Sequence, residues 1–305
     1  MKSAADLSQL YQLIAQQKRP KLKSGEHRGI LGCGYVGQAV AEAWSEQGHQ
    51  LTGTTTSPER LPELADIVDT PLIFEAGSPR SELSFIDDLD GLLISFAPSK
   101  SHYVDLDQYR DTFLGGLTQL SERLSQRRSS SPLQVVYLSS CGVYGDRNGM
   151  ETHEDAPLDR KNPINQVLVQ AEDQIRSVQS DSIKVCILRL GGIYGPGRDI
   201  AAMLKSAAGQ VIPRNGSTVP CWIHKDDIVR GINLAFDQGL NDTYNLVDDL
   251  RISGRELTDR LCDQAGLPLV LWQPRQVPSR VLNARVSNNK LRQMGFTLKH
   301  SSMLS

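Results

Sequence analysis

From Ile30 to about Leu190 the chain alternates short apolar runs with longer stretches whose apolar residues recur at helical spacing. The runs His27–Leu31, Gln50–Thr54, Leu72–Glu75, Gly91–Phe96, Leu133–Ser139 and Lys184–Leu190 predict strands. Several, such as Val135-Val136-Tyr137-Leu138, have no polar interruption, which is expected of strands covered on both faces. Gln38–Gln47, Pro58–Ala65, Tyr109–Gln126 and Ile164–Gln179 carry the helical period. In Gln38–Gln47 it falls on Val40, Ala41, Ala43 and Trp44. Ser57-Pro58-Glu59 reads as a helix start, with Ser at the N-cap and Pro at the first helical position. Alternation of this kind predicts a doubly wound α/β fold with a parallel sheet and right-handed crossovers.

After Leu190 the pattern loosens. Gly191–Gly197 is glycine-rich, Pro213–Pro220 reads as a loop, and short elements follow. Residues 191–305 are therefore expected to form a smaller α+β lobe that partly returns to the sheet. Asp226 and Asp227 precede the apolar helix Ile228–Phe236, and one of them is expected to cap it. Arg127–Ser131 reads as a surface loop. Residues 1–26 stand apart as an N-terminal extension. Leu7, Leu10, Tyr11 and Ile14 fall at helical spacing there, followed by the basic run Lys18–Lys23. The simplest expectation for it is a frayed, solvated segment. The alternative is an amphipathic arm against a partner.

Composition narrows the class. A chain of 305 residues with 39% hydrophobic and 22% charged residues matches an ordinary globular protein. The net charge of −2 gives no electrostatic footprint for nucleic acid. No apolar run approaches the ~20 residues that a membrane-spanning helix needs. The five cysteines, Cys33, Cys141, Cys186, Cys221 and Cys262, are scattered and form no C-x-x-C pair. Neither a metal site nor a disulfide framework is expected, and a cytoplasmic location is the simplest reading.

Between the first strand and the first helix the text reads Ile30-Leu31-Gly32-Cys33-Gly34-Tyr35-Val36-Gly37, a G-x-G-x-x-G spacing. Gly32 would turn the chain out of the strand. Gly34 would let the backbone approach a pyrophosphate, and Gly37 would let helix pack on strand. The anion would sit on the helix N-terminus, where N–H groups and the dipole favour it. This context marks residues 27–190 as a dinucleotide-binding Rossmann domain.

Five further segments carry a resemblance. These are Ser139-Ser140-Cys141-Gly142-Val143-Tyr144-Gly145, Leu188-Arg189 through Tyr194-Gly195-Pro196-Gly197-Arg198, and Ile223-His224-Lys225-Asp226-Asp227-Ile228. Tyr244 through Asp249 and Val286 through Leu291 complete the set. In order and spacing over residues 28–296 the chain resembles the extended short-chain dehydrogenases of the NAD-dependent epimerase/dehydratase family. The resemblance implies that Ser140 hydrogen-bonds the substrate oxygen that gains or loses a hydride. It implies that Phe96, Ala97 and Pro98 pass beside the adenine-side ribose. Ser139, Leu190 and Gly191 would flank the nicotinamide end.

The family also uses a Tyr as general acid/base and a Lys four residues later. Aligned through Glu172, these positions hold Ile164 and Leu168; counted from Ser140, they hold Asn165 and Val169. Neither residue is present, so the chain is similar to the family's atypical branch. Tyr144 is a candidate substitute base, with packing of the pocket wall as the simpler role. Many sugar-nucleotide members carry an Arg where Trp222 stands, which weakens a nucleotide-sugar substrate. Arg198 and Arg214 are the candidate substrate contacts.

The second strand ends Thr54-Thr55-Thr56-Ser57 with no carboxylate for a ribose 2′-hydroxyl. Thr55, Thr56, the following helix start and Arg60 suit a 2′-phosphate, which favours NADP with NAD as the alternative. The cofactor set is completed by Gly32, Cys33, Gly34, Tyr35, Val36 and Gly37. The expected function is an NAD(P)-dependent oxidoreductase or epimerase acting on a small molecule. The alternative is a non-catalytic NADP(H)-binding sensor or scaffold. By resemblance, a homodimer would pair through Tyr109–Gln126 and Ile164–Gln179. No membrane or nucleic-acid partner is expected.

Overall fold

The computed structural model describes residues 4–18, 25–76, 78, 83–98, 106–127, 129, 131–274 and 281–304. In chain order the elements begin with α1 (Ala4–Lys18), β1 (His27–Leu31), α2 (Tyr35–Glu46), β2 (Gln50–Thr55), α3 (Leu61–Ile67), β3 (Thr70–Ile73) and β4 (Gly91–Ile94). One long helical stretch follows as α4 (Leu106–Tyr109), a π-helical segment Arg110–Gly115, and α5 (Gly116–Ser125). Next come β5 (Leu133–Ser140), β6 (Asp146–Thr152), α6 (Pro163–Arg176), β7 (Ile183–Leu190), β8 (Gly192–Tyr194), α7 (Ile200–Lys205) and β9 (Val211–Ile212). The chain continues through β10 (Trp222–His224), α8 (Lys225–Asp237), β11 (Thr243–Leu246), α9 (Gly254–Gln264), β12 (Leu271–Trp272), β13 (Asn283–Val286) and α10 (Asn289–Gln293).

The central sheet has seven strands in the order β11-β7-β5-β4-β1-β2-β3. Its registered pairs are parallel: Ile30 lies opposite Gly53 on β2 and Leu93 on β4, and Ile94 opposite Tyr137 on β5. This is the doubly wound arrangement that the alternating text predicts. Ile30, Leu92, Leu93, Ile94, Val135, Val136 and Tyr137 are fully buried, as their unbroken apolar runs require.

Contacts divide the chain into two compact units. One comprises Met1–Leu138, Gln170–Ile187 and Ile232–Asp242; the other comprises Ser139–Val169, Leu188–Gly231 and Thr243–Ser305. The units interleave along the chain, so the boundary is not a single cut near residue 190. β5, α6, β7 and α8 each contribute residues to both.

In the first unit the core of the α2 layer is built on Trp44, which is fully buried. Its indole N–H donates to Asn233 Oδ1 at 2.8 Å, and Phe236 meets it edge-on at 5.0 Å. The buried guanidinium of Arg28 lies 4.8 Å from the Trp44 ring and 4.9 Å from Phe236. It is paired at 2.7 Å with Glu26, so its charge is not left uncompensated. Helix α1 packs on β3 and α3, and Ser8 Oγ accepts the Ile73 N–H at 3.2 Å. This corrects the solvated-extension expectation. The edge strand β3 offers an unpaired backbone donor, and an amphipathic helix covers it. The rest of the basic run after Lys18, through Lys23, lies outside the described residues.

The second unit holds three two-stranded sheets, β10-β8, β12-β9 and β13-β6. Asp226 and Asp227 depart from the expected capping role. Helix α8 begins at Lys225, so both lie inside its first turn. Asp227, fully buried, instead accepts the backbone N–H of Lys299 at 2.6 Å and of His300 at 2.9 Å. It ties the C-terminal segment to the helix start.

Trp44→Ala removes a fully buried indole, its bond to Asn233 and the platform under Arg28. It is expected to cost about 3–5 kcal/mol, read as a lowered denaturant midpoint, while Trp44→Phe loses less.

Candidate functional site

The glycine loop lies in the first unit, and its three glycines are there for three different reasons. Gly32 has φ +95°, and a Cβ there would stand 2.8 Å from Phe96 Cα. At Gly37 a Cβ would meet the Gly32 carbonyl oxygen at 2.2 Å, so only glycine lets α2 close on the turn. At Gly34 a Cβ would meet nothing within 4 Å. Protein packing therefore explains two of the glycines and leaves the middle one without a protein reason.

The loop is pinned to β2. The Gly32 N–H donates to Thr54 Oγ1 at 2.9 Å, and the Cys33 N–H to the Thr54 carbonyl at 2.7 Å. Gly34 forms the N-cap of α2 without a side-chain cap, and no acidic residue stands in the first turn. The first-turn N–H groups and the positive end of the helix dipole thus face no carboxylate of that turn, which suits an anion.

Beside this loop lies a cavity of about 260 Å³. It is lined by Gly32, Thr55, Thr56, Phe96, Ala97 and Pro98, all named from the sequence as candidate cofactor contacts, and by Thr54. Sequence reasoning missed Phe74, Glu75 and Ala76 after β3, and Gln108, Asp111 and Thr112. Asp111 and Thr112 come from the π-helical segment, an irregularity that no composition signal announces. The Phe74 and Phe96 rings stack with centroids 6.4 Å apart, giving the cavity a flat aromatic wall.

Arg60 ends a short turn after β2. Its guanidinium reaches Gln38 Oε1 of α2 at 3.4 Å and lies 3.8 Å from Glu63. The Ser57 hydroxyl donates to Glu59 at 2.5 Å and makes no capping bond to the helix it precedes. Tyr35 and Val36 belong to the first turn of α2. Cys33 is buried, and burial pushes its thiol up to about 12 against the Thr54 bond and the Arg60 charge. Thiolate chemistry is closed to it, leaving only its backbone to serve a ligand.

The second unit contains Ser139, Ser140, Leu190 and Gly191. Ser140 Oγ accepts the Gly142 N–H at 3.0 Å, which orients the hydroxyl and leaves its own hydrogen to donate. Leu190 closes β7, and Gly191 is a forced glycine: a Cβ would stand 2.8 Å from the Trp222 backbone. Trp222 itself packs on the apolar cluster of Leu250, Leu257 and Leu261. Arg198 and Arg214 are both exposed, in the turn closed by Gly195 and just after β9.

Tyr144 is corrected as a candidate base. It is buried, donates to Asn245 Oδ1 at 2.7 Å and accepts from Arg189 Nη1 at 2.8 Å. Burial drives its pKa well above the ordinary phenol range, and Arg189 offsets that only in part. A phenol locked between two partners and held protonated cannot abstract a proton near neutrality. The aligned positions on α6 supply no replacement. Leu168 and Val169 are buried apolar groups, and buried Asn165 donates to Asp159 Oδ2 at 2.9 Å. Burial raises the Asp159 pKa, but Asn165 and the backbone N–H groups of Asn162 and Lys161 outweigh it, so the carboxyl stays ionised. Asp248 is the unexpected titrating group: burial pushes it up to about 7 against the Leu250 N–H and Arg251.

A parallel doubly wound sheet with a glycine turn over a helix N-terminus defines a dinucleotide-binding fold. The model of the NAD dependent epimerase/dehydratase family matches residues 30–246, and the chain belongs to that family. It is 27% identical over 210 residues to Protein YeeZ of Escherichia coli (strain K12), covering 67% of this chain and 71% of that protein. A functionally unknown conserved protein from Silicibacter pomeroyi DSS superposes with TM-score 0.70 at 27% identity, covering 91% of this chain and 95% of its own. The human epimerase family protein SDR39U1, solved with NADPH, gives TM-score 0.70 at 15% identity over 90% of this chain and 96% of its own. That last likeness speaks for the fold alone. Among the described residues, no helix is long and apolar enough to cross a membrane.

Tyr144→Phe deletes the hydroxyl that joins Arg189 to Asn245 and is expected to cost about 1–3 kcal/mol in denaturant unfolding. Any turnover should keep its pH profile; a lost limb in that profile would restore Tyr144 as a base.

Proposed function

We propose that the protein is an NADP(H)-dependent oxidoreductase or epimerase whose proton transfer does not use the family's Tyr-Lys pair. The observation that carries the cofactor reading is Gly34. Its Cβ direction is free of protein, above helix N–H groups that meet no side-chain cap. Gly32 to Gly37 would hold the pyrophosphate, and the cavity with the Phe74 and Phe96 wall would take the adenosine half. Thr55, Thr56 and Arg60 favour a 2′-phosphate, because a guanidinium beside the helix start attracts a dianion more than a hydroxyl.

The cofactor, when bound, supplies hydride chemistry. The chain's own part is positioning. Ser140, oriented by the Gly142 N–H, would donate to a substrate oxygen. With Tyr144 held protonated and α6 without a Tyr or Lys, water would carry the proton. Loss of a general acid/base typically costs ~10²–10⁴ in rate, so slow turnover on a small carbonyl or hydroxyl substrate is the expected behaviour. The same absence favours a second reading, a dinucleotide-binding sensor or scaffold without turnover.

Arg60→Ala should weaken NADPH binding by about tenfold or more and leave NADH binding unchanged, read by titration calorimetry. An equal loss for both cofactors would refute the 2′-phosphate assignment. A carbonyl substrate panel then separates the readings: turnover that falls with Ser140→Ala supports the enzyme, and binding with no turnover supports the sensor.

A further inference from the structure

The second unit holds a donor cluster that dinucleotide binding leaves unused. His224 ends β10, Asp226 stands in the first turn of α8, and His300 comes from the C-terminal segment. Each offers one ligand atom, and the three atoms lie within 4.8 Å of one another. His300 Nε2 is 3.2 Å from Asp226 Oδ2, and His224 Nδ1 is 3.8 Å from Asp226 Oδ1. The two imidazole centroids are 3.7 Å apart.

We propose that His224, Asp226 and His300 form a binding site for a divalent cation of the zinc class. Two imidazole nitrogens and one carboxylate suit zinc, cobalt or nickel, whereas magnesium and calcium favour all-oxygen sets. The ligands are delivered by rigid parts. His224 is 8% exposed at a strand end. The backbone of His300 is fixed by its N–H bond to buried Asp227, independent of the imidazole. Two competitors are present: the Asp226 N–H donates to His224 Nδ1 at 3.1 Å, a bond the cation must displace, and Lys299 Nζ lies 2.9 Å from Asp226 Oδ2. The lysine is an exposed point charge on a flexible stem and can swing away when a cation takes the carboxylate. The cation would clip the C-terminal segment to the start of α8. The cysteines do not compete, since all five are buried.

The test is calorimetric titration of tag-free, chelator-treated protein with zinc chloride, with the cobalt absorption spectrum as a second readout. One equivalent should bind and raise the thermal midpoint. His300→Ala, which keeps the backbone bond to Asp227, should weaken binding by at least about tenfold. Lys299→Met should strengthen it roughly two- to fivefold by freeing Asp226, an effect that a purely structural ion-pair cluster would not produce. No zinc binding to the natural chain, or binding that His300→Ala leaves unchanged, would overturn the site.

Discussion

The close approach of Gly37 to the Gly32 carbonyl is the constraint on which the rest of the first unit depends. A Cβ at 2.2 Å from that oxygen cannot be relieved by a rotamer change, because the obstacle is backbone. Glycine there lets α2 begin directly over the turn, and Gly32 lets the turn press on Phe96 at the end of β4. The two contacts bring the helix start, β2 and the β4 edge to one place. The cavity beside the loop, with its aromatic wall, follows from that convergence.

The proposed chemistry turns on the state of Tyr144 and of α6. A Tyr general base needs a lowered pKa and a free lone pair. Tyr144 has neither, since burial holds its proton and Arg189 and Asn245 occupy its oxygen. On α6 the matching positions have been given to the core and to the Asn165–Asp159 bond. These positions serve packing, while the glycine loop has a form that packing alone does not demand at Gly34.

Six of the seven strands of the sheet were legible as short runs rich in apolar or β-branched residues bounded by turn residues, and β1 matches its predicted limits residue for residue; the edge strand β11 was not among them. The glycine loop was legible because its spacing encodes backbone geometry. Other features left weaker traces. Helix α1 shows only a faint apolar stripe, since it covers a sheet edge and not a deep core. The π-helical segment inside 106–125 has an ordinary helical composition, so Asp111 and Thr112 could not be assigned to the cavity. Tyr144 looked reactive in the text because its two partners, Arg189 and Asn245, are distant in sequence. Asp226 and Asp227 resembled a local cap for the same reason: the segment they bind, Lys299–His300, lies more than seventy residues on.

The central claim is that the Gly32–Gly37 loop binds a nicotinamide dinucleotide through the space at Gly34. It is tested most directly by titrating the natural chain and Gly34→Arg with NADPH and NADH, following protein fluorescence. The expected result is saturable binding to the natural chain, tighter for NADPH, and none to a Gly34→Arg protein with an unchanged unfolding midpoint. Failure of the natural chain to bind either cofactor, or undiminished binding to Gly34→Arg, would contradict it.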